Sequence, residues 1–284
     1  MTWGLFLSLF FLGAAIGSFL NVLASRYSEK AGFKKAFHGR SRCDKCRRIL
    51  HWYEQIPIFS FIALRGKCRS CGKSIPVSYT LVEVIAGLLA VFVPLQIGFT
   101  PFALIWVVVF WLLLLLSLID LRLKIIPDLL IILVGLMGAA GLAYRYSTGL
   151  VGSYIATAGA DLLGPYSMVI KLGSSPLVNH FVAVAAGLIL FGGIYLLTRG
   201  KAMGLGDVKL AGTLGFLIMW PDIILVLIIP FLIGTLIGLP MMWVKKMNLK
   251  SSIPFGPFIA VGVLLTFFFG YDIVNAYFGL LNFI

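Results

Sequence analysis

The stretch Trp106-Val-Val-Val-Phe-Trp-Leu-Leu-Leu-Leu-Leu-Ser-Leu-Ile119 contains no charged residue and ends directly before Asp120. With the apolar residues that precede it, this run at 101–119 is long enough to cross the roughly 30 Å hydrocarbon core of a bilayer as a helix. Comparable runs lie near residues 3–24, 80–98, 126–144, 180–198, 206–220, 223–244 and 253–270. The sequence therefore predicts an all-α polytopic membrane protein with about eight transmembrane helices.

The composition excludes a soluble globular domain. Hydrophobic residues make up 61% of the chain, charged residues only 12%, and the mean hydropathy is +1.05. A soluble domain needs more polar surface than this composition supplies. The net charge of +13 would point to a nucleic-acid partner in a soluble protein. Here we expect a lipid bilayer as the partner, and no nucleic acid.

The basic residues are concentrated in the polar segment 25–79, which holds thirteen of the 23 Lys and Arg residues. If the spans alternate in direction, 21 of the 23 lie on one side of the membrane, and only Arg145 and Lys171 lie on the other. The positive-inside rule makes the rich side cytoplasmic, which leaves both termini outside. The first span lacks a basic segment before it, so we expect it to be retained rather than cleaved as a signal.

The predicted organisation has three parts. A first transmembrane helix occupies 1–24, a cytoplasmic tetracysteine domain occupies 25–79, and a transmembrane core occupies 80–284. The segment 145–179, which contains Asp161, is predicted to be an outer loop.

The four cysteines form two pairs, Cys43-x-x-Cys46 and Cys68-x-x-Cys71, both in the basic segment. Two such pairs complete a tetrahedral thiolate site, which predicts a structural zinc in a zinc-ribbon-like insert. The insert is short of apolar residues, and small domains of that kind often need a metal. Disulfides are disfavoured in the reducing cytosol, while free thiols and a redox role stay open. The nearby His38 and His51 are interpreted as surface residues.

Two aspartates lie at predicted helix ends on the cytoplasmic side. Asp120 follows the run quoted above, and Asp207 lies in Gly204-Leu-Gly-Asp-Val-Lys209 at the start of another span. Carboxylates at membrane depth are costly, so each calls for a functional hypothesis. A pair at one depth can share a proton and activate water, as an aspartic protease requires. Helix capping is the alternative for Asp207, but it fits Asp120 poorly because that residue ends its helix.

The remaining acidic residues have more ordinary interpretations. Glu83 opens the second span, where it could be a partner of the helix dipole, an ion-pair partner of a nearby Lys, or a functional group. Asp128 follows a proline and could cap its span. Asp222 and Asp272 are predicted to be interfacial.

The chain resembles bacterial type IV prepilin peptidases, the bifunctional leader peptidase/N-methyltransferases of the GxGD aspartic protease family. The segments that carry the resemblance are Gly17-Ser-Phe-Leu-Asn-Val22, Arg40-Ser-Arg-Cys43 and its partner cysteines, Ile56-Pro57, Leu64-Arg-Gly-Lys-Cys68, Glu83, Ile119-Asp120 through Ile126-Pro-Asp128, Gly204-Leu-Gly-Asp-Val-Lys209 and Ile253-Pro-Phe-Gly-Pro-Phe258.

The resemblance implies an all-helical membrane bundle with a cytoplasmic metal-binding insert. It implies Asp120 and Asp207 as the catalytic dyad and Cys43, Cys46, Cys68 and Cys71 as zinc ligands. The implied substrates are prepilins or pseudopilins, whose leaders are cut after a glycine at the cytoplasmic face of the bacterial inner membrane. The new N-terminal amine, commonly that of a phenylalanine, would then be methylated with S-adenosylmethionine, whose binding residues no sequence pattern identifies.

Three other functions are weighed against this one. A preflagellin-type GxGD peptidase without methyltransferase activity generally lacks the cysteine insert. A proton-coupled transporter would favour carboxylates near the bilayer midplane rather than at helix ends. A zinc-ribbon adaptor on a membrane anchor would not need so many spans.

Overall fold

A computed structural model of the protein describes residues 3–30, 32–34, 36–37, 39–43, 45–148, 162–163, 166, 176–245 and 253–280. Across these residues the chain is almost entirely helical, and its β structure consists of isolated bridges. Seven of the described helices are long and apolar enough to cross a membrane. The predicted all-α polytopic fold is therefore confirmed. The chain divides into two compact units, Met1–Leu95 and Gln96–Ile284.

The first unit contains two long helices and the cysteine-containing insert. Its elements are α1 (Trp3–Arg26), a 3₁₀ turn (Trp52–Gln55), α2 (Phe59–Ala63) and α3 (Val77–Ile97). The helices α1 and α3 touch where α1 has glycine. A Cβ on Gly17 would lie 2.8 Å from Ala86 Cβ and 2.9 Å from Glu83 Cα. Small residues allow this close approach of helix backbones.

The second unit contains six described helices. They are α4 (Pro101–Leu123), α5 (Asp128–Ser147), α6 (Pro176–Thr198), α7 (Leu205–Leu217), α8 (Ile223–Lys245) and α9 (Gly256–Leu280). Thr100 is the N-cap of α4, and its side chain accepts the backbone N–H of Ala103. Lys124 is the C-cap, and its left-handed backbone terminates the helix. Most of the predicted loop 145–179, including Asp161, lies outside the described residues.

Helix α7 is shorter than the predicted span at 206–220. Its 13 residues cover about 20 Å, less than the bilayer core requires. It packs against both α5 and α6, and its contacts follow α5 from end to end. Lys209 binds Asp128 at the start of α5, and Met219 lies 3.9 Å from Arg145 near its end. The helix therefore ends before the predicted span does, at Ile218, whose backbone is extended.

Helix α9 packs against α4 and α8, and aromatic residues hold it there. The ring of Phe267 lies 4.7 Å from that of Trp106 and 5.2 Å from that of Phe110. Directly before α9, the ring of Phe255 lies 5.2 Å from Phe231 on α8. These contacts position the N-terminus of α9.

Candidate active site and metal centre

Asp120 lies in the last turn of α4 and is only 4% exposed. Its Oδ2 accepts the backbone N–H of Gly256, the first residue of α9, at 2.8 Å. That N–H belongs to the first turn of a helix, where backbone donors have no partner within the helix. The carboxylate therefore ends its own helix but faces the N-terminus of another, where negative charge is favoured.

Gly256 is required by this arrangement. A Cβ at this position would lie 2.8 Å from Oδ2 of Asp120 and 2.9 Å from Cδ2 of Leu116. Both separations are shorter than real Cβ contacts. Gly256 lies in the segment Ile253-Pro-Phe-Gly-Pro-Phe258, in which the sequence alone indicates no role for it. A glycine–proline pair at the start of a span was the available signal.

Asp207 is the third residue of α7 and is 8% exposed. Its Oδ2 accepts the N–H of Gly204 at 3.1 Å, so it makes the helix-capping contact weighed as the alternative. This bond occupies one oxygen and leaves the carboxylate buried. A Cβ on the neighbouring Gly206 would lie 3.0 Å from Ile126 Cβ. The start of α7 is therefore held against the turn between α4 and α5.

Both buried carboxylates belong to the second unit. Asp120 lies in the last turn of α4 and Asp207 in the first turn of α7, and the start of α7 contacts Ile126 in the turn that follows α4. Two interacting carboxyl groups do not ionise independently, and the pair retains a proton more readily than either group alone. Such a pair supplies a proton acceptor and a proton donor at the same time.

The other acidic residues of this unit differ from these two. Asp128 forms an exposed ion pair of 2.8 Å with Lys209. Asp222 is buried and accepts the N–H of Leu162 at 2.7 Å. Asp272 is exposed. The interfacial position of both residues stays a prediction.

In the first unit, the two cysteine pairs lie on equivalent hairpins. Arg42 bridges to Ile49 in one, and Lys67 bridges to Ser74 in the other. In each hairpin the first cysteine donates its N–H to the residue five positions later, at 2.9 and 2.8 Å. The two segments thus form a repeat, which the sequence analysis did not identify.

The four sulfur atoms converge on one point. Their Sγ atoms all lie within 4.8 Å of one another, and those of Cys43 and Cys71 are 4.0 Å apart. Sulfur atoms bound tetrahedrally to one zinc at about 2.3 Å would lie about 3.8 Å apart. All four cysteines are free of disulfides. The donor set and its spacing therefore fit a tetrahedral metal site.

The pKa values of two of these thiols, those of Cys68 and Cys71, are shifted in opposite directions by their neighbours. The N–H groups of Cys71 and Ser70 lower the pKa of the Cys68 thiol to about 6. At Cys71 the N–H of Lys73 acts in the same direction, but burial and the sulfur atoms of the other three cysteines raise its pKa to about 11. A cation would offset the charge that four thiolates place together, since metal ligands are deprotonated.

Charged and polar contacts around Glu54 stabilise the cysteine-containing insert. Glu54 is buried and accepts hydrogen bonds from the Arg48 side chain and, at 2.9 Å, from the N–H of His51. Its pKa is lowered because these two donors outweigh the effect of burial. His51 itself is exposed, as predicted, and His38 lies outside the described residues.

Glu83 makes a contact that the sequence analysis missed. Its carboxylate is buried, and Oε2 accepts the N–H of Ile58 at 2.8 Å. Glu83 is the seventh residue of α3, too far along to interact with the helix N-terminus. Among the segments that carry the family resemblance, Ile56-Pro57 is the one adjacent to Ile58 in the sequence.

Comparison with known proteins assigns both units. The model described as the bacterial peptidase A24 N-terminal domain matches residues 11–97, and that of the type IV leader peptidase family matches residues 106–239. No solved structure matches the chain.

Three curated relatives bear the name prepilin leader peptidase/N-methyltransferase. The one from Pseudomonas putida is 30% identical, over 96% of this chain and 93% of its own length. The one from Burkholderia pseudomallei is 31% identical, over 91% and 84%, and that from Legionella pneumophila is 26% identical, over 98% and 96%. The chain belongs to the type IV leader peptidase family.

Proposed function

We propose that this protein is a bifunctional enzyme of the bacterial inner membrane. It removes the leader peptide from type IV prepilins or pseudopilins and N-methylates the residue that becomes N-terminal. The names of the relatives support both activities. The observation that carries the peptidase assignment is the presence of two buried carboxylates, Asp120 and Asp207, inside the segment that matches the leader peptidase model.

In this proposal the dyad cleaves the leader by general acid–base chemistry. The ionised carboxylate accepts a proton from water while the protonated one donates a hydrogen bond to the scissile carbonyl. Gly256 and Gly204 each hold one carboxylate through Oδ2. We assign the Oδ1 atoms to the shared water and the substrate.

The active site and the cysteine insert are placed at the cytoplasmic face. The concentration of Lys and Arg in 25–79 supports this orientation. We retain the division into a first transmembrane helix (1–24), a tetracysteine domain (25–79) and a peptidase core (80–284). A preflagellin-type peptidase without methyl transfer is disfavoured by the N-terminal domain match at 11–97.

Zinc is proposed as the structural metal of the insert, held by Cys43, Cys46, Cys68 and Cys71. The four convergent sulfurs support this choice, because tetrahedral thiolate sites favour zinc. Metal analysis of the purified protein should find one zinc per chain. A folded, active sample with no metal and four titratable thiols would contradict it.

Methyl transfer is assigned to the first unit, with S-adenosylmethionine as the methyl donor. The substrate's N-terminal ammonium first gives its proton to water. The free amine is then the nucleophile, and S-adenosylmethionine would supply it with an activated methyl group. This reaction needs no carboxylate dyad.

The test separates the two activities by mutation. Asp120→Asn and Asp207→Asn keep the size of the side chain but remove its acid–base function, so cleavage of a prepilin should fall to background. Both variants should still methylate a pilin peptide supplied already cleaved, with phenylalanine at its N-terminus. Asp272→Asn, a change at an exposed carboxylate, is the matched control. Product masses report both reactions.

Two outcomes would contradict the proposal. A folded Asp→Asn variant that cuts prepilin at the wild-type rate would exclude the aspartic mechanism. A variant that neither cuts nor methylates the pre-cleaved peptide would exclude the division of labour between the units.

A further inference from the structure

A cavity of about 480 Å³ lies within the first unit, and the proposed proteolysis uses none of its residues. Its volume falls in the range of about 300–1,000 Å³ that is typical of small-molecule sites. The lining comes from the C-terminal half of α1, both cysteine hairpins, the segment 50–64 and the start of α3. Segments that are distant in sequence therefore converge on one cavity.

The floor of the cavity is formed where α1 meets α3. Ser18 and Asn21 come from α1, and Thr80 and Glu83 come from α3. The side-chain amide of Asn21 donates to the carbonyl oxygen of Tyr79 at 3.0 Å, which ties the two helices together. This floor presents hydroxyl, amide and carboxylate groups within a site that also has aromatic and aliphatic walls.

A strained backbone residue, Ile58, holds the carboxylate of Glu83. Ile58, which donates its N–H to Glu83, has φ 65° and ψ −53°. Positive φ is rare for a β-branched residue, and such strain persists only where the surrounding structure maintains it. Strained residues of this kind cluster at ligand sites. The carboxylate of Glu83 is therefore fixed in place at the cavity.

The hairpin part of the lining is basic. Arg40, Arg42, Lys45 and Arg69 belong to the two hairpins and border the same space. A carboxylate on the floor and cations on the hairpins together suit a ligand that carries both signs of charge. The rings of Phe61 and Tyr79 add surface for a flat, apolar group.

We propose that this cavity binds S-adenosylmethionine, with Glu83 beside its cationic part, the hairpin cations beside its carboxylate, and Phe61 and Tyr79 beside its adenine. The ligand has a sulfonium and an ammonium, one carboxylate, a ribose that can hydrogen-bond to the floor, and a flat base. The inference rests on the proposed methyltransferase function, which it deepens by naming the binding site.

The test uses the full-length, zinc-containing protein in detergent and the reaction product S-adenosylhomocysteine as the ligand. Isothermal titration calorimetry measures its dissociation constant. Ser18→Phe places a ring in the cavity, where it would overlap the space of the ligand. The dissociation constant should rise about tenfold to a hundredfold, which corresponds to the free energy that overpacking costs. Ser8→Phe is the matched control, since Ser8 is exposed on the same helix and lies outside the cavity.

A second variant keeps the test informative if Ser18→Phe does not fold. Glu83→Gln keeps an acceptor for the N–H of Ile58 but removes the charge, and it should weaken binding about tenfold or more. Glu29→Gln, at an exposed position outside the cavity, should bind like the wild type. All four variants should still cut prepilin, because the dyad is unchanged.

The outcomes separate the two proposals. If the wild type methylates a pre-cleaved pilin while Ser18→Phe and Glu83→Gln bind S-adenosylhomocysteine as their controls do, the cavity assignment is wrong and the proposed function stands. If the wild type neither binds the ligand nor methylates the peptide, both are wrong.

Discussion

Replacing Gly256 by alanine should selectively damage proteolysis. The added Cβ would lie 2.8 Å from Asp120 Oδ2 and 2.9 Å from Leu116 Cδ2, so the carboxylate must move or α9 must shift. Overpacking of this kind costs about 1–3 kcal/mol. The hydrogen bond from Gly256 to Asp120 is also weakened, and bonds to charged groups contribute about 1.5–3 kcal/mol.

The expected loss follows from these magnitudes. A tenfold change in rate corresponds to about 1.4 kcal/mol, and misplacing a catalytic group by about 1 Å can cost a hundredfold. We therefore expect kcat/KM for prepilin cleavage to fall about tenfold to a hundredfold in Gly256→Ala. Methylation of a pre-cleaved peptide should be unchanged, because that reaction is assigned to the first unit.

Gly262→Ala is the matched control on the same helix. Its Cβ would lie 2.9 Å from Pro230 Cδ, a similar overlap against α8 that does not involve Asp120. Both variants are assayed in detergent with a prepilin peptide, together with thermal unfolding to compare stability. If Gly256→Ala cleaves as fast as Gly262→Ala, Gly256 does not position Asp120 and the reasoning fails.

Two further predictions concern the hairpins and the surface. Gly72 has φ 66° and open space around a Cβ, so Gly72→Ala should destabilise the metal site by about 1–2 kcal/mol through backbone strain alone, with Gly72→Asn closer to wild type. Zinc release to a chromogenic chelator measures this effect, and equal rates for all three proteins would contradict it. Asp128→Asn removes an exposed ion pair with Lys209 and should change the free energy of unfolding by less than about 1 kcal/mol. A larger loss in thermal unfolding would show that this pair supports the packing of α7 on α5.

The sequence predicted the long helices well because a bilayer imposes a length and an apolar composition that are visible residue by residue. The same reliance on apolar composition overestimated the length of α7. Residues 218–220 are as apolar as a helix requires, but Ile218 is extended, and hydropathy does not distinguish extended from helical backbone. Gly215 on α7, where a Cβ would lie 2.4 Å from the backbone nitrogen of Val184 on α6, also contributes little to an apolar pattern, although it decides how close the two helices come.

The partners of the site residues could not be predicted in the same way. Gly256 and Asp120 are 136 residues apart, and no periodicity links a glycine at one helix start to an aspartate at another helix end. Glu83 likewise finds its partner in Ile58, a backbone N–H that no side-chain pattern reveals. The convergence of the four cysteines was easier to predict, because metal-ligand spacing is local in sequence and each pair lies within one turn.

The glycines near the two aspartates explain how the pair can remain chemically competent. Each carboxylate is held by a backbone N–H at the start of a helix, Asp120 by Gly256 and Asp207 by Gly204. A lysine or arginine in the same place would favour the fully ionised pair and remove the proton that the proposed mechanism requires one member to donate. Neutral N–H donors fix the position of both carboxylates while leaving the pair able to share that proton. The approach is close enough to require glycine at Gly256, where a Cβ would lie 2.8 Å from Asp120 Oδ2, whereas a Cβ on Gly204 would lie 3.3 Å from Asp207 Oδ2 and a small shift would accommodate it.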